Sequence, residues 1–418
     1  MPKPLSHAHI LMPTIHAVVV AALACTPVVS AAQEFCFTRE RFDEMAEHID
    51  RHRDLAKIDG GSIAWGEAYV LRGLLEMHQA TQDREYLRRF VSLADVVLAV
   101  RDDALGRKDF AGRSLPLWGI ADQYTVATAT LQDEQKRDAL AIRSIRYAYN
   151  NQTRVTIEPG TKPGTWRLSH SNEFGDAAGR YVSAAEESLA TWESSWREGP
   201  NEGEGYYLLT PKGEPFWCDG IGAPLNYLGG AGQVLLYLHD VTGKQAYRDK
   251  AQRIARLFKN ELELGDNGAY VWQYWWGAGE DGWTKADGLS DNTPAYAGGK
   301  YDEDLSHAAW EVEFAVQAHR RGIVFDEEDM KRLAATFTKN LWVPESNELA
   351  DRVSGDRKYK GHHNIAGGRW VDLCEFDPQI FDIMRQIFTV HRYDKGAAFG
   401  HLAAVYARLY RRQEQLAK

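Results

Sequence analysis

Residues 225–262 read LNYLGGAGQVLLYLHDVTGKQAYRDKAQRIARLFKNEL, and the fold turns on how they are read. Apolar side chains return every three or four places in Leu225–Leu238 and again in Lys244–Leu262, the period of an amphipathic helix. Between them Asp240-Val241-Thr242-Gly243 makes a tight polar turn, so the two helices fold back as an antiparallel hairpin. The same period runs through Phe42–Leu55, Ala64–His78, Arg84–Val100, Leu117–Leu131, Gln135–Tyr149 and Tyr181–Trp196, and later through Asp304–Arg320, Asp326–Leu341, Pro378–Thr389 and Lys395–Leu409. Arg321-Gly322 and His391-Arg392-Tyr393-Asp394 are further short connections. Gly322 fits a C-terminal cap, and Asp326 opens the next helix with acidic residues in its first turn. Repeated hairpins without a strand-rich domain suit a closed toroid or an α-solenoid. A solenoid needs an even period, whereas here irregular insertions fall at 153–177, 197–222, 264–303 and 343–377. The sequence therefore predicts an all-α fold: an (α/α)6–7 toroid, an incomplete barrel of antiparallel helical hairpins with long loops over one end, where function concentrates. Short strands are expected in Arg154–Ile157 and Tyr270–Tyr274.

Working outward, Lys3 precedes an apolar stretch from Ile15 to Leu23 and the small-residue run Ser30-Ala31-Ala32, the layout of a cleavable secretory signal. Residues 1–32 are expected to be that signal and 33–418 a single catalytic domain, periplasmic or secreted. Ala22-Leu23-Ala24-Cys25 is close to a lipoprotein signal, but its leucine sits two places before the cysteine instead of three. The apolar stretch is shorter than a membrane span needs, so no membrane association is expected after cleavage. Cys36, Cys218 and Cys374 survive; one disulfide with one thiol left over is possible among them, the pairing open, and no pair has zinc-ligand spacing. A formal charge of −10 with no Lys/Arg block argues against a nucleic-acid partner.

The densest chemistry lies in Tyr301-Asp302-Glu303-Asp304-Leu305-Ser306-His307-Ala308-Ala309-Trp310-Glu311, a loop entering a helix. His307 and Glu311 share a face at i and i+4, which sets an imidazole beside a carboxylate that orients it, with Tyr301 at the rim; these are proton-transfer groups or, alternatively, a helix cap with a core histidine. Asn226 follows Pro224 inside a helix start, where asparagine is mildly unfavourable; an inward amide that binds something would explain it. Trp166-Arg167-Leu168-Ser169-His170-Ser171-Asn172-Glu173 is a polar loop with an acid–base candidate. Gly361-His362-His363-Asn364 leads to Gly367-Gly368-Arg369-Trp370, a cation beside an aromatic ring; no further ligand stands at a spacing that makes the two histidines a metal site. Of the 13 tryptophans, Trp118, Trp166, Trp217, Trp272, Trp275, Trp276 and Trp283 lie in or beside the insertions, and flat aromatic faces suit sugar rings. Trp272, Trp275 and Trp276 cannot all face one side of a strand, which favours a lined cleft over a core.

The Asn226 helix, the Tyr270–Trp276 strand, the Asp304–His307 helix entry and the Gly322–Met330 turn together resemble bacterial toroid polysaccharide lyases and uronyl epimerases. The chain is most similar to polysaccharide lyase family 38, whose members act on alginate or glucuronan. The resemblance covers residues 216–345, and the N-terminal half only in helix layout. It implies β-elimination on an acidic, uronate-containing polysaccharide: the substrate carboxylate is neutralised, a base takes the C5 proton and an acid protonates the leaving O4. Asn226 and Arg369 suit the neutralising role, His307 the base or the carboxylate's partner, and Tyr301 base or acid. His170, Asn172, Glu303, Tyr274, Trp118, Trp272, Trp276 and Trp370 are the substrate-binding candidates; no metal and no cofactor is required. A glycoside hydrolase on the same toroid would instead use two carboxylates from Glu303, Asp304, Glu173 and Asp219. An epimerase would leave the polymer uncut, and a glycan-binding protein would keep the aromatic cleft without the proton-transfer groups.

Overall fold

The computed structural model describes residues 35–54, 66–100, 181–213, 217–356, 364–393 and 399–418, and the backbone alone of 124–132, 138–147, 154–159, 166–171, 177–180 and 363. The chain divides into the units Met1–Gln33 and Glu34–Lys418, and every described residue belongs to the second. Its main helices are α1 (Arg39–His52), α2 (Ala68–Thr81), α3 (Arg84–Ala99), α4 (Ala177–Thr191), α5 (Leu225–Thr242), α6 (Gln245–Asn260), α7 (Leu305–Arg320), α8 (Glu327–Ala335), α9 (Gln379–His391) and α10 (Gly400–Leu416). A 3-10 stretch, Gly367–Glu375, precedes α9, and α8 runs on as a π turn over Thr336–Leu341.

The hairpins form where the sequence marks them. Each reverses through a residue in the left-handed region: Gln82 (φ 59), Gly243 (φ 70), Gly322 (φ 65) and Arg392 (φ 50), a conformation that closes a helix by pairing its last carbonyls. After two of these turns a side chain caps the next helix. Asp83 accepts from the Glu85 amide at 2.9 Å, and Asp326 with Asp329 forms a capping box at the head of α8.

Inner and outer helices alternate around a ring. On the inside α2 packs on α10, α10 on the 3-10 stretch, that stretch on α7, and α7 on α5; outside them lie α3, α6, α8, α9 and α1. The Arg72 guanidinium donates to Gln233 Oε1 at 3.5 Å, linking α2 to α5. This is the helical toroid expected from the sequence. Glycine sets the closest approach: a Cβ on Gly232 would stand 2.4 Å from the Phe314 ring, and one on Gly229 3.1 Å from the Glu311 Cα. The inner rods run parallel, since Gly229 meets Glu311 where Gly232 meets Phe314, and Tyr69 meets His401 where Glu76 meets Arg408.

A buried ionic hub joins these rods. Arg369 donates Nε and Nη2 to Glu313 at 3.1 and 2.8 Å; Arg408 reaches Glu313 at 2.5 Å and Glu76 at 3.2 Å. Arg411 pairs with Glu76 at 2.7 Å and Asp372 at 3.2 Å. Glu313 is desolvated, which opposes its charge, but Arg369, Arg408 and Arg72 prevail and hold it well below the usual carboxylate range.

The structure departs from expectation in one region. Helices were expected over 117–131 and 135–149, yet β1 (Tyr124–Gln132) and β2 (Asp138–Tyr147) pair as an antiparallel hairpin. Thr125, Thr128 and Thr130 with Val126, Ile142 and Ile145 are β-branched residues that favour a pleated strand, and the short apolar spacing there fits either period. The expected strand at Arg154–Ile157 is β3 (Arg154–Pro159), paired with β4 (Trp166–Ser171); that at Tyr270–Tyr274 is only Tyr270–Val271. All three described cysteines are free thiols, Cys36 exposed and Cys218 and Cys374 buried, so the possible disulfide is not formed. Among the described residues no helix is long and apolar enough to cross a membrane.

Candidate active site

Because the rods are parallel, the N-terminal ends of α2, α5, α7 and α10 gather at one mouth of the ring. Residues 301–305 reach it as an extended segment clasped on both sides. The Tyr274 amide donates to Tyr301 O (3.1 Å) and the Glu303 amide to Trp272 O (2.9 Å). On the other side Val353 donates to Glu303 O (3.0 Å) and Leu305 to Asp351 O (2.9 Å). The segment then turns into α7, capped by Asp304, whose Oδ1 accepts from the Ser306 and His307 amides at 2.9 and 3.0 Å.

The same carboxylate places the histidine. Asp304 Oδ2 lies 2.7 Å from His307 Nδ1, and the imidazole, one-third exposed, looks toward the mouth. The i, i+4 spacing assigns the orienting role to Glu311; in the structure Asp304 holds it, while Glu311 lies sealed one turn below. Burial pulls the His307 pKa down, but the hydrogen bond and charge of Asp304 and the charge of Glu303 outweigh it, and the net shift is upward. Asp304 is held far below the usual range: burial opposes this, but the bond to His307 prevails. Glu303, Asp304 and His307 each bring a ligand atom within 4.8 Å of the others, a set that a divalent cation could use, though here the aspartate and histidine hold each other.

Above the imidazole stand two tyrosines. Tyr274 lies 5.5 Å from the His307 ring and stacks on Tyr301 at 5.5 Å and 18°. Tyr301 is 40% exposed, and its pKa is raised, chiefly by desolvation, so it keeps its proton at neutral pH. More rings stand at the other helix starts: Tyr227 on α5 and Phe399 before α10, both exposed, and Tyr69 against His401 at 4.7 Å and Trp310 at 6.2 Å. Sequence reading passed over Tyr69, Tyr227 and His401; the signal available was an aromatic or imidazole in the first turn of successive inner helices.

Below His307, Glu303 and Glu311 are fully buried; Glu303 Oε2 and both Glu311 oxygens have no well-formed hydrogen bond among the described residues, and the polar groups that act on Glu311 include Glu303 and the Trp272 indole. Burial pushes both pKa values up, Glu311 to about 8 and Glu303 well above the carboxylate range with the charge of Glu311 adding to it. The His307 imidazole, 3.9 Å from Glu303 Oε1, offsets only part of this, and two buried carboxyls so placed settle by sharing a proton. A carboxyl raised in the folded state lends stability that is full below pH 4.5 and is lost as pH rises through about 8. Glu311→Gln, which keeps a neutral partner for Glu303, is expected to flatten that fall and to stabilise the protein at pH 8 by on the order of 2 kcal/mol. Thermal melts from pH 5 to 9 check it, and equal slopes in both proteins would refute the shared proton.

The remaining candidates fall in different places. Asn226 is buried in the first turn of α5 behind Pro224, and its Oδ1 accepts no hydrogen bond among the described residues. Arg369 is buried, bonded to Glu313 and stacked 4.2 Å over Trp310, so its charge is compensated from within. Trp272 and Trp370 do not line a cleft: they stack at 6.3 Å inside the core. Trp276 is also buried, donating Nε1 to Ala223 O at 2.8 Å. Trp275 joins a separate cluster with Cys218, Ile221 and Trp283; the chain turns after Val271, so these tryptophans reach two cores and need no cleft. Asp219 is consumed as a loop staple by Ser290 and by the amides of Gly213, Asp291 and Asn292. His170 sits on β4 opposite Val155 with its side chain outside the described residues, as are Trp118, Asn172 and Glu173.

No known protein family matches the chain, and no curated protein sequence does. Among solved structures it is similar to an inactive variant of an α-1,6-mannanase of a Salegentibacter species in complex with α-1,6-mannotriose, at 11% identity and TM-score 0.42 over 90% of this chain and 99% of that one. It is similar in the same degree to a glycosyl hydrolase family 88 protein from Bacteroides vulgatus, at 10% identity, TM-score 0.42 and the same shares. Cellobiose 2-epimerase from Bacillus thermoamylovorans matches at 14% identity and TM-score 0.37 over 51% of this chain, which spans 55% of that protein's length. At these values the likeness assigns no activity to the chain.

Proposed function

We propose that the chain is an exported glycan-processing enzyme that cleaves a uronic-acid-containing polysaccharide, alginate or glucuronan, by β-elimination. The observation that carries this reading is the Asp304–His307 pair set under the stacked Tyr274–Tyr301 rings at the mouth of the toroid. The substrate lies across the aromatic rim, and the parallel N-terminal ends of α2, α5, α7 and α10 turn their positive dipole ends toward it, which favours an anion. His307, aligned by Asp304, takes the C5 proton. The electron pair of that C–H bond becomes the C4–C5 double bond, the C4–O4 bond breaks, and Tyr301, kept protonated by its raised pKa, gives its proton to O4. The Asn226 amide suits the substrate carboxylate, whose charge must be held as it grows. Hydrolysis would need two carboxylates facing substrate; of the candidates among the described residues, Asp219 is stapled into its loops, Glu303 is sealed and Asp304 is held by His307, which supports elimination.

The test is absorbance of the unsaturated uronate while the protein is incubated separately with alginate, glucuronan, pectate and hyaluronan. A rise with one of the first two is expected; reducing ends without absorbance would replace elimination by hydrolysis, and an uncut polymer would leave epimerisation or binding. A base whose pKa is raised becomes competent only above the ordinary histidine value near 6.5, so the acid limb of kcat/KM should lie above pH 6.5. Asp304→Asn keeps the helix cap but removes the charge, and is expected to move that limb down by about one pH unit. An unmoved limb would exclude His307 as the base.

A further inference from the structure

The row of rings at the rim does not end at Tyr301. Arg352 lays its guanidinium 5.5 Å over that ring, so that imidazole, phenol, phenol and guanidinium follow one another from His307 through Tyr274 and Tyr301. The bridge between Asp304 and Arg352 holds this arginine beside the start of α7, and its Nη1 donates to the Asp302 carbonyl at 2.8 Å. Its charge is far less compensated than that of Arg369. Arg369 grips Glu313 with two bonds in the interior, whereas the ion pair of Arg352 among the described residues is with Asp351, 3.6 Å from Nε, and the side chain is 28% exposed.

We propose that Arg352 is a specificity residue that binds the carboxylate of the sugar adjoining the one attacked at His307, and so selects chains with a uronate at consecutive positions. The inference rests on the uronate reading of the site given above. A pyranose lying along the exposed edge of this row at the Tyr274–Tyr301 pair sets its neighbour beside Arg352, where a guanidinium meets a carboxylate in its preferred forked geometry. The device separates homopolymeric uronates from polymers in which a neutral sugar alternates, because in the latter Arg352 faces no charge.

The experiment is a binding titration of a uronate trisaccharide and of its carboxyl-reduced counterpart to the wild type, Arg352→Gln and Arg352→Lys. The wild type is expected to prefer the charged ligand by about tenfold or more; Arg352→Gln should lose about that factor for the charged ligand alone, and Arg352→Lys should recover part of it. A wild type without preference, a glutamine variant that keeps the preference, or one that weakens for both ligands alike would each overturn the proposal. Absorbance of unsaturated product from the wild type is read in parallel. Preference without absorbance rejects elimination and leaves the Arg352 subsite standing; absorbance with an unchanged preference in Arg352→Gln does the reverse.

Discussion

Glu313→Ala is expected to lower the free energy of unfolding by about 3–5 kcal/mol, measured by urea denaturation at neutral pH. The magnitude follows from what remains: Arg369 and Arg408, both buried, would face each other without the carboxylate that receives them at 2.8 and 2.5 Å. Removing one member of a buried pair exposes the desolvation penalty of the other. The acid side gives a second reading of the same group. A carboxylate held below its ordinary value adds stability that is fully present above pH 4.5 and is lost as pH falls toward its depressed folded pKa. Glu313→Gln, which keeps shape and loses charge, should therefore show a shallower fall of stability below pH 4.5 than the wild type. A loss under about 1 kcal/mol in the alanine variant would mean that water or rearranged side chains replace the hub.

The largest effect on activity is expected at the mouth. His307→Ala and Tyr301→Phe should each reduce kcat by about 10²-fold or more, as removal of a positioned proton-transfer group does. Circular dichroism and melting temperature should hardly move: His307 is one-third exposed on α7, and Tyr301 stands at the rim. Because the two groups serve opposite ends of one elimination, the double variant should fall less than the product of the single losses. Near-normal turnover in both single variants would remove them from the chemistry.

The helical hairpins were legible because their signals are local. Gly243, Gly322 and the acidic start at Asp326 stop and start helices through their own backbone needs, and the close-packed face of α5 was visible in Gly229-Gly230-Ala231-Gly232. The stretch 117–149 misled because threonine, valine and alanine in short succession satisfy a strand as well as a helix. At the site, residue types were legible and partners were not. His307 and Glu311 do share a helix face, but the orienting carboxylate came from the cap position, and the expected one pairs with Glu303 in the interior. Arg369 read as an available cation, since nothing in the neighbouring sequence announces that Glu313, 56 residues earlier, lies opposite. Trp272 and Trp370 illustrate the same limit: an aromatic ring suits a sugar and a core equally, and only packing decides.

The hub also sets an order of events in folding. Arg408 and Glu76 meet across 332 residues of chain, so the charges carried by α2 and α7 stay without their full complement until α10 has been made. The ring therefore closes late in synthesis, through contacts of long sequence separation that slow folding, and a nascent chain lacking α10 should remain open and protease-sensitive.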